Sequence, residues 1–212
     1  MAGSQPDEPE HYFSAVPTGP SAPRRIELAL PEGRLVHLAT DRGVFSADKV
    51  DDGTRLLLAE GPSLDGAASL ADVGCGYGAI AVTLALRAPG ALVWAVDVNE
   101  RARALCRANA AANGVGDRVR VVAPDEVPVD LIVDQVWSNP PIRVGKSALH
   151  SLLTSWLVRL RPGTGSATLV VQKHLGADSL ARWLTERGWP TDRVVSRAGY
   201  RILLVRPGSG DS

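Results

Sequence analysis

The sequence predicts an α/β protein whose mostly parallel sheet carries helices on both faces and follows a small N-terminal β element. Three observations lead there. From residue 69 onward, short apolar runs alternate with helix-patterned segments. Most of those runs end in glycine or in a polar turn. The preceding region shows two-residue polar–apolar alternation broken by turn residues instead. Strand, helix and strand in succession imply parallel pairing through right-handed crossovers.

Residues 1–23 read as a polar tail and an arm rich in Pro, Gly and Ser. Ile26 to Leu30 and Arg34 to Thr40 read as strands joined by the turn Pro31-Glu32-Gly33. Arg55 to Ala59 is expected as a third short strand after Asp51-Asp52-Gly53. Residues 24–66 thus form the small β element, with Gly61 to Gly66 as a linker. The main domain spans 67–207, and 208–212 form a disordered tail.

Within the main domain, Leu70 to Val73 runs into Gly74-Cys75-Gly76-Tyr77-Gly78. A helix over Ala79 to Arg87 stops at Pro89-Gly90, and the strand Leu92 to Val96 ends at Asp97. Asn99 can cap a helix over Glu100 to Ala112, because its side-chain oxygen accepts an otherwise unpaired backbone N–H. The apolar face read for that helix is Leu105, Ala108 and Ala112, and Asn113-Gly114 ends it. Val119 to Val122 and Asp134 to Ser138 are further strands. The helix Ser147 to Leu160 carries a stripe of Leu149, Leu152, Leu153, Trp156, Leu157 and Leu160. After it come a strand over Ala167 to Val171 and a helix over Asp178 to Arg187, with Leu180, Trp183 and Leu184 facing inward. A terminal pair, Arg193 to Ser196 and Arg201 to Val205, closes the pattern around Gly199-Tyr200.

Bulk properties narrow the function classes. With 45% hydrophobic residues and 23 acids balancing 23 bases, the chain reads as an ordinary globular protein with no general attraction for nucleic acid. A local basic face is compatible with that balance. Cys75 and Cys106 lack a metal-type partner nearby in sequence, so both thiols are expected reduced and buried, with no metal site. The first ten residues show no basic region followed by an apolar run, and no apolar stretch is long enough to cross a bilayer. A cytoplasmic protein without membrane attachment is expected.

The run Asp72-Val73-Gly74-Cys75-Gly76-Tyr77-Gly78 sits at a strand end and opens a helix. Glycines allow a tight turn and close approach of a ligand to backbone, while the helix start presents free N–H groups. Such a turn can bind a dinucleotide, bind a nucleoside or be purely structural. A dinucleotide site also wants an acid some 20 residues on, a place that Asp97 fits. Asp72, however, lies where a pyrophosphate would disfavour a carboxylate. It better suits a ligand with an ammonium group and no phosphate, such as the amino-acid end of S-adenosylmethionine. Asp97, with Val98 beside it, either accepts ribose hydroxyls or caps the next helix. Asp125 is either an adenine partner or a turn acid.

Ser138-Asn139-Pro140-Pro141-Ile142 follows the fourth main strand. Two prolines stiffen the backbone and offer carbonyls without N–H groups. The Asn139 side-chain oxygen and a proline carbonyl form a suitable acceptor pair for an amine, whose lone pair is thereby aimed for in-line methyl transfer. The other reading is a Pro-rich loop that caps a strand.

Together, Asp72 to Gly78, Asp97 and Asn139-Pro140-Pro141 resemble the class I methyltransferases that modify amino nitrogens. The arrangement is most similar to the methyltransferase small domain family, which includes the catalytic half of the 16S ribosomal RNA guanine-N2 methyltransferases. His11-Tyr12-Phe13-Ser14, Gly43-Val44-Phe45-Ser46 and Gln172-Lys173-His174-Leu175-Gly176 share in the likeness, which covers the chain from about His11 to Arg206. The resemblance implies a Rossmann-like seven-stranded sheet of order 3-2-1-4-5-7-6 with the last strand antiparallel. It implies that the glycine loop and Asp72 bind the methionine portion of S-adenosylmethionine, Asp97 the ribose and Asp125 the adenine. Asn139 and the Pro140 carbonyl then orient the substrate amine.

One departure bears on the acceptor. Related amino-methyltransferases commonly carry Phe or Tyr after the two prolines, where this chain has Ile142. Stacking on a planar base then needs another surface, such as Phe13, Phe45 or Tyr12. Arg143, Lys146, Lys173 and His174 follow strand ends that share one rim in a parallel sheet, where they can meet RNA phosphates. Arg24 and Arg25 can extend that patch. The implied partner is ribosomal RNA or the small ribosomal subunit, with a homodimer as one way to add binding surface. A protein glutamine methyltransferase and a small-molecule N-methyltransferase are the alternatives.

Overall fold

Residues 22–44 and 46–208 are described by the computed structural model. The chain opens with a hairpin, β1 (Arg24–Ala29) against β2 (Leu35–Thr40), paired antiparallel. Helix α1 (Asp52–Glu60) follows. The main sheet then builds through β3 (Ser69–Val73), α2 (Ala79–Arg87), β4 (Leu92–Val96), α3 (Glu100–Ala112) and β5 (Val119–Val122). It continues with β6 (Gln135–Ser138), α4 (Lys146–Leu157), β7 (Ser166–Gln172), α5 (Ala177–Glu186), β8 (Thr191–Arg197) and β9 (Tyr200–Val205).

The seven strands stand in the order β5-β4-β3-β6-β7-β9-β8. Counted from β3, that is 3-2-1-4-5-7-6, the order the resemblance implies. The pairs from β5 to β7 are parallel, and β9 runs antiparallel to both β7 and β8. Leu70 of β3 packs among α1, α2 and α3 with the hairpin residues Leu28 and Val36. Ala71 and Val73 of the same strand join the opposite core beneath α4 and α5. With both faces covered, β3 to β7 read as apolar runs.

Arg55 to Ala59 is helical, which corrects the expectation of a third N-terminal strand. Asp51 caps α1, its carboxylate accepting the Thr54 N–H at 3.0 Å. Thr54, Leu57 and Leu58 are buried, at the i, i+3, i+4 spacing of one helical face. Unbranched or γ-branched Arg, Leu, Ala and Glu favour the helix here over the strand. The small N-terminal element is therefore a hairpin followed by a helix.

The buried face of α3 also differs from the reading. It presents Ala102, Cys106, Asn109 and Ala110 inward, while Ala108 and Ala112 are exposed and Leu105 is half-buried. The polar member decides the face. Asn109 donates to the carbonyls of Ala39 (2.8 Å) and Tyr77 (2.7 Å) and accepts from the Ala39 N–H (2.7 Å). One buried carboxamide thus ties β2 to α3 and to the glycine loop. A bidentate pair at 2.8 Å, Arg87 of α2 with Glu32, fastens the hairpin turn and lowers the Glu32 carboxyl to about 2.

Candidate active site

The carboxyl ends of β3, β4 and β6 open onto a cleft of about 710 Å³. In an open parallel sheet, ligands bind in such a crevice at the strand ends. Its floor is the turn Gly74-Cys75-Gly76-Tyr77 between β3 and α2. Gly78 precedes α2 with φ +90°, and a Cβ there would meet the Cys106 sulfur at 2.6 Å. Glycine at that position cannot cap the helix with a side chain, so Asp72 does so from the strand below: its carboxylate accepts the Ala81 N–H at 2.9 Å.

Asp72 is fully buried and does not line the cleft. Its second oxygen, Oδ1, has no hydrogen-bond partner among the described residues. Burial pushes its carboxyl up to about 8, with the nearby Asp97 acting in the same direction. Asp97 does line the cleft. Its carboxylate accepts the Gly76 N–H at 2.8 Å and the Asn99 N–H at 2.8 Å, so it fixes both the glycine loop and the start of α3. Burial raises the Asp97 carboxyl above its ordinary value. Asn99 caps α3, its oxygen accepting the Ala102 N–H at 3.1 Å. Cys75 and Cys106 are both buried. A hydrogen bond with Cys106, together with burial, pushes the Cys75 thiol up.

Asn139 follows β6, whose end is tied to β3 by the Ser138 hydroxyl donating to the Val73 carbonyl at 2.6 Å. The Asn139 amide nitrogen donates to Asp51 at 2.8 Å and to Thr54 Oγ1 at 3.1 Å. Pro140, Pro141 and Ile142 line the cleft beside it, and Ile142 opens a 3₁₀ turn to Val144. Asn139 and Asp97 thus face one space, across which a nucleophile on one side can meet a cofactor on the other.

Of the residues singled out from sequence, Gly74, Cys75, Gly76, Tyr77, Asp97, Val98, Asn139, Pro140, Pro141 and Ile142 come together in this cleft. Asp125 does not: it is exposed in the 3₁₀ turn Pro124–Glu126, although its neighbours Pro124 and Val127 line the wall. Lys146, Lys173 and His174 are exposed and lie beside the lining residues Ala148 and Leu175 rather than within the cleft. Arg143 falls in the 3₁₀ turn Ile142–Val144. Tyr12, Phe13 and Phe45 lie outside the described residues.

Sequence reasoning missed four cleft residues with clear geometry. Asp51 and Thr54 contact Asn139, and Gln172 donates at 3.1 Å to the hydroxyl of Tyr200, whose ring packs beside Gly53 at the start of α1. The Asp-x-x-Thr start of α1 was available as a capping signal. Nothing local couples residue 51 to residue 139. Among the described residues, no group of three or more His, Cys, Asp or Glu is placed to hold a metal ion.

This strand order, with a glycine loop after the first strand, an acid after the second and Asn-Pro-Pro after the fourth, defines a Rossmann-like, S-adenosylmethionine-dependent methyltransferase class. Residues 35–204 match the methyltransferase small domain, and the chain belongs to that family. An uncharacterized Bacillus subtilis protein, YbxB, is 34% identical over 202 residues, covering 93% of this chain and 98% of that protein. Ribosomal RNA small subunit methyltransferase C of Shewanella amazonensis is 34% identical over 184 residues, covering 84% of this chain and 51% of the enzyme. The structure of Thermus thermophilus 16S rRNA N2 G1207 methyltransferase with AdoMet and guanosine superposes with a TM-score of 0.73 at 26% identity, over 89% of this chain and 51% of that one. This chain therefore spans about half the length of these ribosomal RNA enzymes and nearly all of YbxB.

Proposed function

We propose that this protein transfers a methyl group from S-adenosylmethionine to the exocyclic N2 amine of guanine in 16S ribosomal RNA. The observation that carries the reading is one cleft holding Asn139-Pro140-Pro141 opposite Asp97 and the glycine loop. The likeness to the guanosine-bound Thermus enzyme supports the choice of acceptor.

The cleft fits the cofactor. Asp97 spends two acceptor positions on backbone N–H groups, and a carboxylate has about four, which leaves room for ribose hydroxyls. Val98, Val127, Leu152 and Trp156 give an apolar wall for adenine. The glycine loop lets the methionine portion approach the backbone, above the buried Asp72 that holds the start of α2. When bound, the cofactor supplies an electrophilic methyl on a sulfonium. Asn139 Oδ1 and the Pro140 carbonyl accept the two amine protons, which turns the nitrogen lone pair toward that methyl. The new N–C bond forms as the C–S bond breaks, with its electron pair passing to sulfur. The same two oxygens stabilise the positive charge on nitrogen until a proton leaves to water. The exposed Lys146, Lys173 and His174, beside the cleft-lining Ala148 and Leu175, meet RNA phosphates.

The reading is tested by transfer from radiolabelled S-adenosylmethionine to purified small ribosomal subunits, naked 16S RNA and a total protein extract, run side by side. Label recovered as N2-methylguanosine is expected. Label confined to protein overturns it in favour of glutamine methylation. No label in any acceptor despite tight cofactor binding points to a small molecule instead.

A further inference from the structure

Asn139 has two amide protons, and both are spoken for. One bond goes to the Asp51 carboxylate at 2.8 Å and the other to Thr54 Oγ1 at 3.1 Å. A carboxylate accepts and does not donate, so the end of the carboxamide facing Asp51 is the NH₂ group. The carbonyl oxygen is thereby left for the cleft. Asp51 is itself held, since the same oxygen caps α1 through the Thr54 N–H at 3.0 Å. Thr54 is buried, and Gly53 between them packs against the Tyr200 ring: a Cβ on Gly53 would lie 2.7 Å from Tyr200 Cε1.

We propose that Asp51 and Thr54, at the start of α1 and outside the catalytic sheet, are positioning residues that impose the orientation of the Asn139 carboxamide and so its selectivity for a donor amine. The inference rests on the proposed function, in which Asn139 Oδ1 accepts a proton from the acceptor amine. A free Asn can turn its NH₂ toward the acceptor and repel an amine, or pair with a carbonyl instead. Two fixed acceptors behind the amide remove that choice before substrate arrives, which is preorganisation in the transition-state sense. The Asp51 charge also polarises the carboxamide, making Oδ1 a better acceptor as the amine nitrogen turns cationic.

The test is a cycle of Thr54→Val, Thr54→Ser, Asp51→Asn and Asn139→Ala, read by turnover, acceptor KM, cofactor affinity by calorimetry, and melting temperature. Valine keeps the shape of Thr54 and removes its oxygen. Thr54→Val is expected to lower kcat about ten- to a hundredfold with cofactor affinity and melting temperature unchanged. Thr54→Ser restores most of the turnover, and in the Asn139→Ala background Thr54→Val costs nothing further. Asp51→Asn, which offers a donor as well as an acceptor, also lowers kcat while leaving cofactor affinity intact. Full turnover in both Thr54→Val and Asp51→Asn overturns the inference while leaving the proposed function standing. So does an equal Thr54→Val loss with and without Asn139. A wild-type protein that methylates no amine overturns the proposed function, and this inference with it.

Discussion

Asp72 and Asp97 end neighbouring strands, yet their surroundings differ. Asp97 reaches the cleft with its oxygens on backbone N–H groups, whereas Asp72 is sealed beneath α2 with one oxygen unpartnered among the described residues. Asp97→Ala is expected to weaken S-adenosylmethionine binding first, and Asn139→Ala to spare that binding while losing most turnover. Calorimetry paired with single-turnover transfer separates them, and an equal loss of cofactor affinity in both contradicts the roles. Asp72 makes a pH prediction. Folding raises its carboxyl from 3.8 to about 8, so the folded chain binds the extra proton between those values. Its contribution to stability is fully present below about pH 4 and is lost as pH rises through about 8. Melting curves of cofactor-free protein should therefore fall more steeply across that window in the wild type than in Asp72→Asn; parallel curves contradict it.

At the scale of elements, α3 shows why pattern alone misassigns a face. Alanines at 108 and 112 match an apolar stripe, but the surface that docks on β2 needs the hydrogen-bonding Asn109 at its centre. Asn109→Ala leaves two carbonyls and one N–H without that partner and is expected to cost about 2–3 kcal/mol in denaturant unfolding. A loss under about 0.5 kcal/mol would contradict that role. Helix α1 was missed for a related reason. Arg-Leu-Leu-Leu-Ala is short and, after its arginine, unbroken by a polar residue, so neither period shows, and only the Asp51 cap marks it as helical. The elements from β3 onward were legible because parallel strands buried on both faces must be apolar, and turns must separate them. The long stripe of α4 was equally clear, with Leu149, Leu153, Trp156 and Leu157 buried as read.

For the whole molecule, the glycine loop, Asp97 and Asn139-Pro140-Pro141 were readable because each is a local run whose chemistry depends on adjacent residues. The second layer of the site was not, since Asp51, Thr54, Gln172 and Tyr200 meet it only through the fold. That layer has a consequence for the acceptor. With Ile142 where an aromatic ring is common, Tyr200 is a flat surface lining the cleft, braced by Gln172. The chain matches ribosomal RNA enzymes over about half their length, so activity on an assembled subunit is the whole-molecule question. The most direct measurement is mass spectrometry of nucleosides from 16S RNA and small subunits treated with S-adenosylmethionine bearing a deuterated methyl group. Deuterated methyl on the exocyclic nitrogen of guanine is the result predicted here. Deuterium on a ring nitrogen or a ribose oxygen, with the exocyclic amine unlabelled, would contradict amine transfer at Asn139.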